Sequence, residues 1–226
     1  MIIDSAVSAD EPIPRSLADH AYQLLVRKIT RHDIPPGEAL VEKALMSEFG
    51  IGRTPIREAL QRIASEGLVC HMPHRGMYVC ELSSLFVQSV FEFRSHIDGY
   101  LVRLAAERAT ETDIDELAMI RGSLVEATDE DNLDRYVSQD RRFFDVLSRA
   151  AKNEYVAETV SRIFNLHLWI WFYMAKRAGG WHDLAEAHLD MAGALVDAVS
   201  AHQEEQAELI MKLYVSRRHQ TMRTLL

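Results

Sequence analysis

The sequence predicts a mainly α-helical protein, with an N-terminal winged helix-turn-helix that includes one small β hairpin and a C-terminal all-α antiparallel helical bundle. Three observations predict it. Residues 41–66 read as two short amphipathic helices joined by the glycine-containing turn Gly50-Ile51-Gly52, the arrangement of a helix-turn-helix. Two strand-like runs follow at once, 68–72 and 77–80, around Pro73-His74-Arg75-Gly76. From residue 83 to the end helical periodicity dominates, and its breaks are polar or glycine-rich.

The second helix of the pair is the most informative element. It opens on Thr54 as N-cap and on Pro55 in the first turn, where proline is tolerated. Ile56, Leu60 and Ile63 follow helical spacing and give one buried face. Arg53 and Arg57 lie four apart, so both project from the N-terminal end of the exposed face. A recognition helix in the major groove carries its contacts to base edges and phosphates there. The hairpin beyond it has a basic tip, as a wing touching a neighbouring groove would.

Beyond the hairpin, helices are expected over 83–109, 113–127, 133–151, 154–177, 184–200 and 204–225, with short loops between them. The chain therefore divides into a flexible N-terminus (1–14), a DNA-binding domain (15–80) and a helical domain (83–226), to which the family resemblance described below assigns effector binding and dimerisation. Only Glu81-Leu82-Ser83-Ser84 joins wing to bundle, so motion in the bundle is able to reach the DNA-binding heads.

Composition narrows the alternatives. The 226 residues suffice for two modest domains, and 48% hydrophobic content is ample for buried cores. The net charge of −9 is unevenly placed. Residues 15–80 hold nine Lys/Arg against seven Asp/Glu, whereas residues 81–226 hold sixteen against twenty-four and the first fourteen add three acids. The acid thus lies away from the proposed DNA surface. The longest uncharged run, 163–175, has 13 residues and contains Asn165 and His167, too short for a membrane span of ~20. No signal peptide is visible, and a cytoplasmic location is expected. Cys70 and Cys80 fall near each other at the base of the wing, and reduced, half-buried thiols are expected there. No zinc-protease, phosphate-loop, dinucleotide or nucleophile-elbow motif is present, so no enzymatic activity is expected.

At residues 15–80 the chain resembles the GntR superfamily of bacterial transcription regulators. The segment from Leu17 to Leu25 opens like the family's first helix, and Ile34-Pro35-Pro36-Gly37-Glu38-Ala39-Leu40 is similar to its connector. The stretch from Arg53 to Ile63, then Glu66-Gly67-Leu68-Val69, completes the signature, with Arg75-Gly76 at the wing. The resemblance implies Arg53 and Arg57 as the main operator contacts, with Lys43, Thr54, Pro55, His74, Arg75 and Gly76 in support.

The bundle resembles the FCD ligand-binding domain of the FadR-type branch. The matching residues are Phe93-Arg94 through Asp98, Leu104 through Ala109, Asp140 through Phe143, and Ala150 through Asn153. Much of that family holds a divalent metal with an Asp and three His. Here Asp140 is present, but Phe144, Ala192 and Tyr214 fall at the expected histidine positions, and no metal or other cofactor is expected. His167, His182, His188 and His219 lie outside that pattern, and a site of different composition built from them stays open. Arg94 matches the family arginine that faces the pocket, and its guanidinium suits a carboxylate; an ion pair with Asp98 is the alternative. His96, Asp140, Asn153 and His167 complete the effector candidates. The aromatic residues Phe164, Trp169, Trp171, Phe172 and Tyr173 are expected mainly in the core or at a dimer surface. The function implied is a homodimeric regulator, a repressor of a palindromic duplex operator, controlled by a small organic acid. The alternative is a constitutive DNA binder with an effector-blind bundle.

Overall fold

The computed structural model describes residues 14–226; residues 1–13, most of the stretch expected to be a flexible N-terminus, lie outside the described residues. Helix α1 (Leu17–Thr30) begins where the Ser16 hydroxyl accepts the Asp19 amide at 3.0 Å. Helix α2 (Glu42–Phe49) ends at Gly50, whose φ of 65° is the left-handed conformation that glycine adopts without steric cost. Helix α3 (Arg53–Ser65) buries Ile56, Ala59, Leu60 and Ile63, the face its spacing predicts. It packs chiefly on α1, against Ala21, Leu25 and Ile29. Each large aliphatic side chain fully buried here contributes roughly 1.5–3 kcal/mol relative to exposure.

The N-cap of α3 corrects the expectation for Thr54. Gly52 occupies the cap, makes no side-chain cap bond, and Thr54 is already inside the first turn. The Ile56 amide donates to the Gly52 carbonyl at 3.3 Å, so the first helical bond already closes over Thr54 and the helical residues begin at Arg53.

The wing is strand β1 (Val69–Met72) paired antiparallel with β2 (Gly76–Val79), with Val69 opposite Val79 and Met72 opposite Gly76. Its tip closes with the Arg75 amide donating to the Met72 carbonyl at 3.0 Å, Pro73 second in the turn and His74 third at φ 63°. That is the pattern of a turn needing positive φ at its third residue. The connector runs along the other edge of β2, where the Leu40 amide donates to Met77 O at 2.8 Å and the Val79 amide to Glu38 O at 3.0 Å. The sequence reading had no strand character for that connector.

Six helices follow: α4 (Ser84–Arg108), α5 (Glu111–Asp129), α6 (Leu133–Ala150), α7 (Glu154–Ala178), α8 (His182–Ser200) and α9 (Glu204–Leu225). Helix α5 starts two residues earlier than its apolar periodicity suggests. Thr110 and Asp113 cap it reciprocally, each side chain serving the other's backbone amide, and Arg149 of α6 lies 3.0 Å from the Asp113 carboxylate.

The described residues form two compact units. One holds residues 14–95, 158–181 and 215–226; the other holds 96–157 and 182–214. Helices α4, α7 and α9 each run from one unit into the other. In the second unit α5 packs on α6 and α8, around Leu117, Ile120, Leu124, Phe143, Leu147, Leu195 and Val199. Among the described residues no helix is long and apolar enough to cross a membrane.

Candidate functional site

The exposed end of α3 carries the two arginines that the sequence singles out. Arg53 and Arg57 have side chains 63% and 58% exposed, and a single carboxylate of α2 holds both. Glu42 accepts the Arg57 Nε–H at 2.7 Å and lies 3.7 Å from Arg53 Nε. This bond raises the Arg57 pKa above its ordinary value, since the carboxylate stabilises the charged form. Lys43, Thr54, His74, Arg75 and Gly76 are exposed as well, while Pro55 is half-buried under the first turn. Arg62, by contrast, turns toward Asp19 at 3.3 Å and lies over the Tyr22 ring at 3.8 Å, so it braces the head rather than facing outward. Glu42 was not singled out in the sequence, because nothing local distinguishes it from a solvated acid.

At the base of the wing Cys70 and Cys80 are free, half-buried thiols. Burial, with a hydrogen bond from Cys70, pushes the Cys80 pKa up to about 12.

The effector candidates separate into distinct settings. Arg94 is 5% exposed, and its Nη1 is 2.6 Å from Nδ1 of His167. Arginine has only donors, so Nδ1 accepts and His167 is the neutral tautomer protonated at Nε2. His96 is exposed on α4. Asn153 caps α7, its side-chain oxygen accepting the Val156 amide at 3.2 Å, a local task that accounts for an asparagine there.

Asp140 lies in the second unit beside a histidine that the sequence alignment had misplaced. His188 Nε2 is 3.3 Å from Asp140 Oδ1, so the residue facing this carboxylate is His188, one helical turn before Ala192. A slip of one turn leaves a helical pattern intact, which is why spacing alone did not settle it. Tyr136 Oη is 2.6 Å from His188 Nδ1, and the rings of Tyr214 and Phe143 lie 5.9 and 6.5 Å from the imidazole. All five side chains are more than nine-tenths buried. Tyr136 Oη and His188 Nδ1 share a hydrogen bond, whereas His188 Nε2 and Asp140 Oδ1, though 3.3 Å apart, are not aligned to form one with each other.

The donor set does not fit the metal that the FCD resemblance implies. One carboxylate and one imidazole face each other, Phe144 supplies no ligand atom, and Tyr136 engages the other imidazole nitrogen. Among the described residues no three or more His, Cys, Asp or Glu side chains group as an ion would need.

Comparison with known proteins gives the lineage. Residues 17–79 match the family described as bacterial regulatory proteins, gntR family, and residues 89–217 match the FCD domain. The chain is 27% identical over 198 residues to the HTH-type transcriptional repressor GlaR of Escherichia coli (strain K12), which spans 86% of this chain and 90% of the relative. It is also 27% identical over 163 residues to the HTH-type transcriptional repressor RspR of the same organism, over 72% of this chain and 70% of that one. The solved structure of E. coli McbR/YncC superposes with a TM-score of 0.78 at 20% identity, over 92% of this chain and 98% of the other, a likeness of fold.

The Tyr136–His188 bond yields a direct test. Tyr136→Phe leaves a buried imidazole nitrogen without its hydroxyl partner and is expected to cost about 1–3 kcal/mol of unfolding free energy. Urea denaturation measures it, and an unchanged midpoint would mean that this bond does not form in solution.

Proposed function

Because this chain belongs to the GntR family of bacterial regulatory proteins and carries an FCD domain, we propose that it is a repressor that binds a palindromic operator as a homodimer and answers to a small organic acid. The observation that carries the reading is the arginine pair of α3, exposed and held in place by Glu42. Each protomer sets α3 in a major groove, with the wing tip at His74 and Arg75 alongside, and two-fold symmetry in the protein matches two-fold symmetry in the DNA. Exposed Tyr100 of α4 and Leu209 and Leu213 of α9 offer apolar surface for the second copy to cover. The relatives GlaR and RspR are both named repressors, which favours repression as the sign of control.

Arg94 supports the effector half of the proposal. Arg94 is a buried guanidinium beside the imidazole of His167, and a carboxylate is the complement that a planar fork binds bidentately. A bundle without a bound cation must recognise an anion through such side chains. The proposed regulator works without the family's metal.

Three measurements test these claims. Arg53→Ala and Arg57→Ala are each expected to cost about 1–3 kcal/mol in specific operator binding, read at fixed salt, with the fold intact because both side chains are exposed. An unchanged affinity in the double variant would remove α3 as the reader. Among small carboxylic acids that raise the melting temperature of the wild type, Arg94→Met is expected to abolish both the shift and any effect on operator affinity, since a ligand moves an equilibrium only through differential contacts. A full response in Arg94→Met would put the anchor elsewhere. Protein purified without chelator is expected to hold well under one equivalent of zinc, manganese or nickel, and EDTA to leave its melting temperature in place. Stoichiometric metal would overturn the metal-free reading.

A further inference from the structure

Two polar side chains interrupt the apolar run 163–175 of α7, and both are buried, Asn165 to 4% and His167 to 8% exposure. A buried amide is costly unless its hydrogens find acceptors. Asn165 finds them on the DNA-binding head. Its Nδ2 donates to Glu66 Oε2 and to Tyr22 Oη, each at 2.8 Å. The Tyr22 hydroxyl in turn donates to Glu66 at 2.7 and 2.9 Å.

Glu66 is the C-cap of α3, its own amide bonded to Arg62 O and Ile63 O at 3.2 Å, so its place is fixed by the backbone of the DNA-reading helix. The next residue, Gly67, has φ 87°, and a Cβ there would sit 3.6 Å from the Leu166 side chain of α7. One turn along α7, the Trp169 carbonyl lies 3.1 Å from Nε2 of His32, just past the end of α1. Asn165, Leu166 and Trp169 therefore meet the head. His167 is two residues from Asn165, about 200° around the helix, and it meets Arg94 of α4 instead. All of these residues belong to one compact unit. Helix α7 thus contacts Arg94 through one face and the end of the recognition helix through another.

We propose that Asn165 is the positioning residue through which α7 sets the orientation of α3, so that a change at the Arg94–His167 contact reaches the operator-reading arginines as a movement of Glu66. The inference rests on the reading of α3 as the DNA reader, but its geometry does not. Asn165 touches no DNA; it acts through Glu66.

The experiment uses the full chain and a duplex operator selected from a random pool by the wild type. Asn165→Asp sets a carboxylate against Glu66 at nearly constant volume. It is expected to weaken operator binding at least tenfold at fixed salt and to speed amide hydrogen exchange in 53–66, with exchange in 111–150 unchanged. The reciprocal swap Asn165→Asp with Glu66→Gln restores an amide facing a carboxylate, and is expected to return affinity to within twofold of wild type. A residue that merely filled space would not be rescued by that exchange. Should Asn165→Asp fail to fold, Asn165→Ser removes the amide with less strain and is expected to show the same two changes. Wild-type affinity and unchanged exchange of 53–66 in the single variant would overturn the proposal, as would a swap no better than the single. If no duplex is selected, or if Arg53→Ala/Arg57→Ala binds like wild type, the DNA reading fails, and the exchange arm still decides the role of Asn165.

Discussion

The buried carboxylate of Glu66 constrains the DNA-binding half of this chain more than any other single group. A carboxylate withdrawn from water must be met by donors, and removing one partner of such a group usually costs more than the whole cluster contributes to stability. Its partners come from separate stretches: Tyr22 of α1, Asn165 of α7, and Arg62 of α3 itself at 3.7 Å. The apolar contact of α1 with α3 supplies the stabilising burial. The carboxylate adds directional bonds that tie α1 and α7 to the end of α3.

A second carboxylate plays the opposite part on the surface. Glu42 holds Arg53 and Arg57 in the free protein, but both arginines are more than half exposed, and pairs of that kind are worth only about 0–1 kcal/mol. Such a contact orders two flexible side chains yet yields easily to a phosphate or a guanine edge, which offer stronger and bidentate acceptors. The net charge of −9 does not oppose this, since residues 15–80 are net positive and most of the acidic excess belongs to residues beyond the wing. Screening by salt acts on the arginines and on Glu42 together, so the pre-organising contact and the DNA contact weaken in parallel.

What the sequence made legible is local. The glycine turn, the buried face of α3 and the basic tip of the wing all rest on neighbours within a few residues, where periodicity and backbone preference act directly. The Thr54 cap was misread because the first helical bond, from the Ile56 amide to the Gly52 carbonyl, starts the helix two residues earlier than the Thr-Pro pair suggests. Asn153 sat in a matching motif, yet its side chain caps α7. The unread features are pairings across long separations. Asn165 was visible as an isolated amide in an uncharged run, but nothing near it in the chain points to Glu66, 99 residues away. His188 was visible too, and a one-turn slip on a helix changes which residue faces a partner without changing the pattern.

The Asp140 cluster shows what a buried carboxylate demands of its neighbours. Withdrawn from water it needs a polar partner close by, and here the imidazole of His188 stands 3.3 Å from it. That imidazole then has a second nitrogen to satisfy, and Tyr136 does so at 2.6 Å. The rings of Tyr136 and Phe143 both stand edge-on to this imidazole, and the Tyr136–His188 bond ties α6 to α8 directionally. In the proposed regulator the consequence is one of specificity. On the proposed metal-free reading, an acid effector would be selected by guanidinium geometry, which rewards one orientation of one planar carboxylate rather than any chelating oxygen pair.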